Sequence, residues 1–233
     1  MIVFLVFFIV GTFLTFDYLI RGIDPAEDEK TINSASLTKK IHDEFMKLLK
    51  SGKLVIPKGL FISNGHVWYK AFPEGGIKVG IDDFPLKLLG EIDKIKLNSI
   101  GESLNKSGRM CTIKKGRKKM KFLSPIEGII SDVNQELVKN AREINDDPYE
   151  KGWLYIIKPV VDISYFREDM EVDISTQDWI EKEIEKLSDF LVHEFPSKRK
   201  LKEMFQKDKT LCEGILQKMD SFAWHKFQES FLR

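Results

Sequence analysis

The sequence predicts a mainly β central domain, with a transmembrane helix before it and α-helices after it. Three observations carry this. First, Met1 to Phe16 holds no charged side chain, and Tyr18-Leu19-Ile20 extends the run past Asp17. Twenty helical residues span about 30 Å, the thickness of one hydrocarbon core. Second, from Leu54 to Pro159 short apolar runs alternate with turn residues such as Pro57-Lys58-Gly59 and Ser63-Asn64-Gly65. Strands of that length and spacing suggest a small barrel or sandwich. Third, Trp179, Ile180, Ile184, Leu187 and Leu191 recur at helical spacing. The expected organisation is an anchor over 1–21, a linker and amphipathic helix over 22–53, a β domain over 54–160 and a helical region over 161–233.

The N-terminal run reads as an uncleaved anchor rather than a signal peptide. No Lys or Arg precedes it and no small-x-small cleavage site follows it. Arg21, Lys30, Lys39 and Lys40 lie after it, so the positive-inside bias places the body in the cytoplasm. Beyond the linker, Ser36 is a candidate cap for a helix to about Lys50, with Ile41, Phe45, Leu48 and Leu49 on one face.

Within the β region the expected strands are LVI, LFI, HVWYKAF, IKVGI, EIDKIKL, MCTI, KFL, GIISDV and WLYIIKP. Pro85 to Leu89 and Leu137 to Ile144 read as short helices. Farther on, Ser175 and Asp178 resemble a capping box, and Pro196 ends the helix that follows. A second helix is expected over Lys198–Gln206. A third is expected over Thr210 to about Phe227, with Leu211, Ile215, Leu216, Met219, Phe222 and Ala223 inward.

Composition narrows the function. The chain has 233 residues, 31% charged and 42% hydrophobic, with a formal net charge of +1. That is globular rather than disordered. Cys111 and Cys212 give no disulfide framework and are expected in the core. His42, His66, His193 and His225 lack metal-ligand spacing, so no metal site is expected. There is no nucleophile elbow, P-loop or dinucleotide fingerprint. The chain therefore reads as a non-enzyme.

The local charge is concentrated in one hairpin, Lys106 to Gly128, which has no acid until Glu127. Lys114, Lys115, Arg117, Lys118, Lys119 and Lys121 form either a solvated turn or a contact surface. The contact would be an acidic partner protein or anionic lipid. With one aromatic (Phe122) in the cluster and a balanced net charge, nucleic acid is not expected.

Several stretches, taken in order, resemble the glycine cleavage system H-protein family. GHVWY holds His66-x-Trp68. VGIDDFPLKLLGEI holds Val79-Gly80-Ile81, Asp83 and Leu89-Gly90-Glu91-Ile92. SPIEGII follows the hairpin, and INDDPYEKGWL holds Asn145, Pro148, Tyr149, Gly152, Trp153 and Leu154. The resemblance covers His66 to Pro159. It implies a lipoyl-domain-like barrel-sandwich hybrid whose hairpin lysine carries lipoate.

At the hairpin the chain departs from that pattern. The family's tip reads approximately Glu-Ser-Val-Lys-Ala. Here the segment is one residue shorter, so counting from Gly108 puts Lys118 at the lipoyl position and counting back from Ser124 puts Arg117 there. Lys115 or Lys114 stands where the acid would be. Guanidinium is no acyl acceptor at this pH.

Two expectations follow. The first is a membrane-tethered, non-enzymatic docking or assembly subunit that binds other protein subunits and carries no cofactor. The alternative is a working lipoyl carrier with its arm on Lys118.

Overall fold

The computed structural model describes residues 33–57, 59–72, 75–160, 176–207 and 212–233. The expected anchor, the linker through residue 32, Ser175 and Leu211 lie outside the described residues. Among the described residues no helix is long and apolar enough to cross a membrane.

Helix α1 spans Ser34–Lys50 and buries Leu37, Ile41 and Phe45. Its cap is Asn33, not Ser36: the Asn33 side chain accepts from the Ser36 N–H at 3.2 Å. Asn33 has the extended backbone that a cap needs, whereas Ser36 is already helical. Asn33→Ala is expected to lower stability by about 1 kcal/mol. An unchanged urea midpoint would mean that packing alone holds this end.

The β region folds into two antiparallel sheets. The larger contains β1 (Phe61–Ile62), β2 (Val67–Ala71), β3 (Ile77–Ile81), β9 (Trp153–Pro159), β8 (Gly128–Val133) and β5 (Ser103–Leu104), in that spatial order. The smaller runs β4 (Lys94–Lys96), β6 (Arg109–Lys115), β7 (Lys118–Leu123). Helix α2 (Asp83–Leu89) follows β3, with Asp82 capping the Phe84 N–H.

The motif residues explain one another here. Trp68 faces Gly80 across β2 and β3. A Cβ on Gly80 would lie 2.4 Å from the indole, so the flat ring requires glycine beneath it. The Trp68 indole N–H then donates to the Pro148 carbonyl at 3.1 Å.

Leu54-Val55-Ile56 is not a strand. Its backbone groups are met by side chains instead: the Val55 N–H donates to Asp83 at 2.9 Å, and the Tyr149 hydroxyl donates to the Val55 carbonyl at 2.6 Å. The expected helix over 137–144 is two short ones, α3 (Gln135–Lys139) and α4 (Glu143–Asp146), broken at Asn140.

The C-terminal region contributes α5 (Thr176–Glu194), α6 (Lys198–Lys207), a 3-10 turn (Ile215–Lys218) and α7 (Ser221–Phe231). The single helix expected from Thr210 to Phe227 is therefore corrected. Asp220 is extended and its carboxylate accepts from the Ala223 N–H at 2.8 Å, which starts a new helix. Phe222, expected inward, is 66% exposed. Its ring lies under the Lys226 ammonium, 4.7 Å from the centroid. One apolar core joins α1, both sheets and the C-terminal helices.

Candidate functional site

The hairpin of β6 and β7 turns in two residues, Gly116 and Arg117, with Lys115 opposite Lys118. Gly116 has φ +55, the positive φ that a II′ turn requires at its first central position. Asp93 pins the tip: its carboxylate accepts from the Gly116 N–H at 2.6 Å and from Lys115 Nζ at 3.0 Å. These two partners, the Gly116 N–H foremost, hold the Asp93 carboxyl below its usual range.

This register decides which residue stands where. Arg117 occupies the exposed tip. Lys118 is the first residue of β7, and its side chain turns back onto the C-terminal region. Its ammonium donates to the carbonyls of Leu216 (3.2 Å), Gln217 (3.0 Å) and Met219. It also lies 5.0 Å from the centroid of the Trp224 ring. Three carbonyls converging at the end of a 3-10 turn form a cation site at the negative end of its dipole, and the Leu216 carbonyl also accepts from the Met219 N–H at 3.2 Å. Burial pushes the Lys118 ammonium below its usual range, and Asp220 opposes that.

Helix α7 completes the cover. The Trp224 indole donates to the Lys119 carbonyl at 2.9 Å, and the Gln228 side chain accepts from the Lys121 N–H at 3.0 Å. Both contacts fall on β7, an edge strand, and they occupy backbone groups that an open sheet edge would leave unpaired. Of the expected contact residues, Arg117, Lys119 and Lys121 are exposed and Lys114 is half-buried, whereas Lys115 and Lys118 are committed internally.

A second cluster lies on the other side of the C-terminal region. His66 is fully buried, with φ +60. Its Nδ1 is 2.9 Å from an Asp82 carboxylate oxygen, and its Nε2 lies 3.6 Å from Glu183 of α5. The ring stacks on Phe84 and tilts against Trp179. Burial pushes the imidazole pKa down, but Asp82 and then Glu183 outweigh it and hold it at about 9. Burial likewise raises the Asp82 carboxyl, with His66 opposing that, and at 2.9 Å the two buried groups share one proton. This is a buried tether between the β domain and α5.

A cleft of about 530 Å³ opens between the end of α1, α2 and α4, with Asp83 in its wall. Burial, opposed by the Val55 N–H, raises the Asp83 carboxyl to about 6. The Cys111 and Cys212 thiols are buried; burial drives both up, Cys212 to about 12. Among the described residues no group of His, Cys, Asp and Glu side chains could hold a metal ion.

Sequence reasoning found Lys118 but missed Trp224, Gln228, Glu183 and the 3-10 carbonyls. Carbonyls leave no trace in a sequence, and Glu183 looks like any other acid on the polar face of a helix.

A β domain of two antiparallel sheets that presents a tight hairpin has a lipoyl-domain-type architecture. Residues 60–186, more than half of the chain, match the family described as Glycine cleavage H-protein. The chain belongs to that family. The match runs past residue 160 and takes in Trp179 and Glu183 of α5. The chain is 30% identical over 112 residues to the probable glycine cleavage system H protein of Pyrococcus furiosus, covering 48% of this chain and 83% of that one. It is 34% identical over 100 residues to the glycine cleavage system H protein of Carboxydothermus hydrogenoformans, covering 43% and 76%. The crystal structure of a glycine cleavage system H protein from Mycobacterium marinum aligns with a TM-score of 0.43 at 25% identity, over 48% of this chain and 97% of that one.

Proposed function

We propose that this chain is a membrane-tethered, non-enzymatic member of the H-protein family that serves as a docking or assembly subunit for other proteins and carries no lipoate. One observation carries the reading: the ammonium that lipoylation would acylate is the group held by the three carbonyls of the 3-10 turn. Acylation converts a cation with three donors into a neutral amide with one N–H. It would take the ammonium from at least two of the three carbonyls, of which Leu216 keeps the Met219 N–H, and remove the charge from a cation site. Arg117, which stands in the open where an acceptor is needed, is not an amine nucleophile. The hairpin as it stands does not fit lipoate.

The tether and the cytoplasmic side rest on the apolar run Met1–Phe16 and the cations after it. The protein partners rest on the family and on the exposed cations Arg117, Lys119 and Lys121.

Peptide mass spectrometry of the protein from its own cells tests the reading. The peptide containing Lys118 is expected unmodified in cells that lipoylate other proteins. A lipoyl-sized increment on it would overturn the proposal and make the chain a carrier whose C-terminal region must undock to expose the arm.

A further inference from the structure

The basic side chains do not cluster at the hairpin tip as the sequence suggests. Lys114, Lys119 and Lys121 lie instead on one face of the smaller sheet, where Lys94 and Lys96 join them. The register places Lys94, Lys114 and Lys119 side by side across β4, β6 and β7, and Lys96, Thr112 and Lys121 in the next row on the same face. Neighbouring strands lie about 4.8 Å apart and same-face residues about 7 Å along a strand. Five ammonium groups thus share a patch on the order of 10 Å across. Lys94, Lys96, Lys119 and Lys121 are exposed and Lys114 is half-buried. Among the described residues none of the five side chains is in an ion pair, and Asp93 at the margin is already engaged by Lys115 and Gly116.

Like charges directly opposite one another disfavour a sheet. The buried underside of the sheet (Ile95, Ile113, Met120, Phe122) holds the strands together, but among the described residues no acid pairs with these lysines, so the face is open to an external polyanion. We infer that this lysine-faced sheet lies against an anionic phospholipid surface and orients the β domain on the membrane. The chemistry separates lipid from the other polyanions. Arg109, opposite Leu123, falls in the row beyond; the two rows themselves hold five lysines and one threonine, with no arginine and no aromatic side chain. Protein interface cores are enriched in both and depleted of lysine. Single-stranded nucleic acid is held on aromatic platforms, and the grooves of a duplex admit a helix or a ribbon rather than a flat sheet face. Mobile point charges on flexible stems match a fluid layer of headgroups instead. The uncharged run Met1–Phe16 points to the same surface from different residues. The inference does not depend on the state of Lys118, which faces the C-terminal region and is not one of the five.

Each lysine near an anionic leaflet favours contact by about fivefold, so five together give on the order of 10³-fold. Lysine acetylation footprinting of the full chain reads contact directly, whether or not the N-terminal run also inserts. In phosphatidylserine-containing vesicles at low salt, Lys94, Lys96, Lys114, Lys119 and Lys121 are expected to be protected severalfold relative to Lys39 on α1 and Lys70 on β2, which are exposed elsewhere. The protection should vanish in pure phosphatidylcholine and at high salt. A Lys94→Gln/Lys96→Gln variant, altered only on the solvent side of β4, should lower protection of the other three while leaving the thermal melt unchanged. Equal labelling in the two lipids would overturn the inference. So would protection by single-stranded RNA or by a co-purifying acidic protein in the absence of protection by phosphatidylserine.

Discussion

Lys118→Met is expected to destabilise the protein by about 2–3 kcal/mol and to loosen its C-terminal region first. The substitution keeps the length of the side chain but removes every donor. Charge-assisted hydrogen bonds contribute about 1.5–3 kcal/mol each and do not add fully, while carbonyls left dry cost about 1–3 kcal/mol. The variant should show a lowered denaturation midpoint and faster proteolysis between α6 and α7. Lys119→Met, one residue on and exposed, should change stability by no more than about 0.5 kcal/mol. Equal effects at the two positions would mean that the 3-10 turn is held by Gln217 and apolar packing, and that Lys118 is a bystander. Lys118→Arg separates charge from shape. It keeps the cation but presents a planar fork to three carbonyls arranged around a point, so a partial loss is expected.

The second large effect is on pH dependence. The folded protein holds the His66 imidazole at about 9, against about 6.5 when unfolded. A raised pKa in the folded state contributes stability that is complete below the unfolded value and is lost as pH rises through the folded one. Between about pH 6.5 and 9 the protein should therefore lose up to about 3 kcal/mol. Glu183 gives a smaller limb of opposite sign. Burial alone would raise its carboxyl, but His66 and Lys186 hold it below the usual range, so that contribution fades in acid. His66→Gln should flatten the alkaline limb, measured by denaturant unfolding across that range. A limb that survives in His66→Gln would assign the loss to other groups. Because Glu183 sits on α5, the same titration should release α5 before the sheets, which hydrogen exchange can resolve segment by segment.

The strands and the family motifs were legible because their signals are local. The His66-x-Trp68 and Val79-Gly80-Ile81 stretches turn out to be cross-strand partners, with Gly80 small because Trp68 is large. Asn145, Pro148 and Tyr149, known from the sequence only as motif residues, meet α2, its Gly90 cap and the Trp68 indole. Helix ends were less legible. Asn33 and Ser36 are both good caps, and only the backbone conformation chooses between them. The site was half legible. The shortened hairpin left two registers, with Lys118 or Arg117 at the lipoyl position, and the two-residue turn at Gly116 separates them into a half-buried peg and an exposed tip. What holds the peg is a set of main-chain oxygens, and no side-chain pattern announces those. The lysine face escaped notice for a related reason. Lys94 and Lys96 lie before the hairpin in sequence, 20 and 18 residues ahead of Lys114, and only strand pairing brings them alongside Lys114, Lys119 and Lys121.

The grip on Lys118 also sets an order of events during synthesis. Its carbonyl partners lie 98–101 residues farther along the chain. At ribosomal rates of about 5–20 residues per second, the hairpin emerges roughly 5–20 s before the turn that will hold it exists. Sheet β4-β6-β7 is built from near neighbours and can form within that interval, while the cover must wait. For those seconds the lysine is a bare amine on an uncovered hairpin. An enzyme that modifies it meets it uncovered on the growing chain, and on the finished protein only after the C-terminal region undocks.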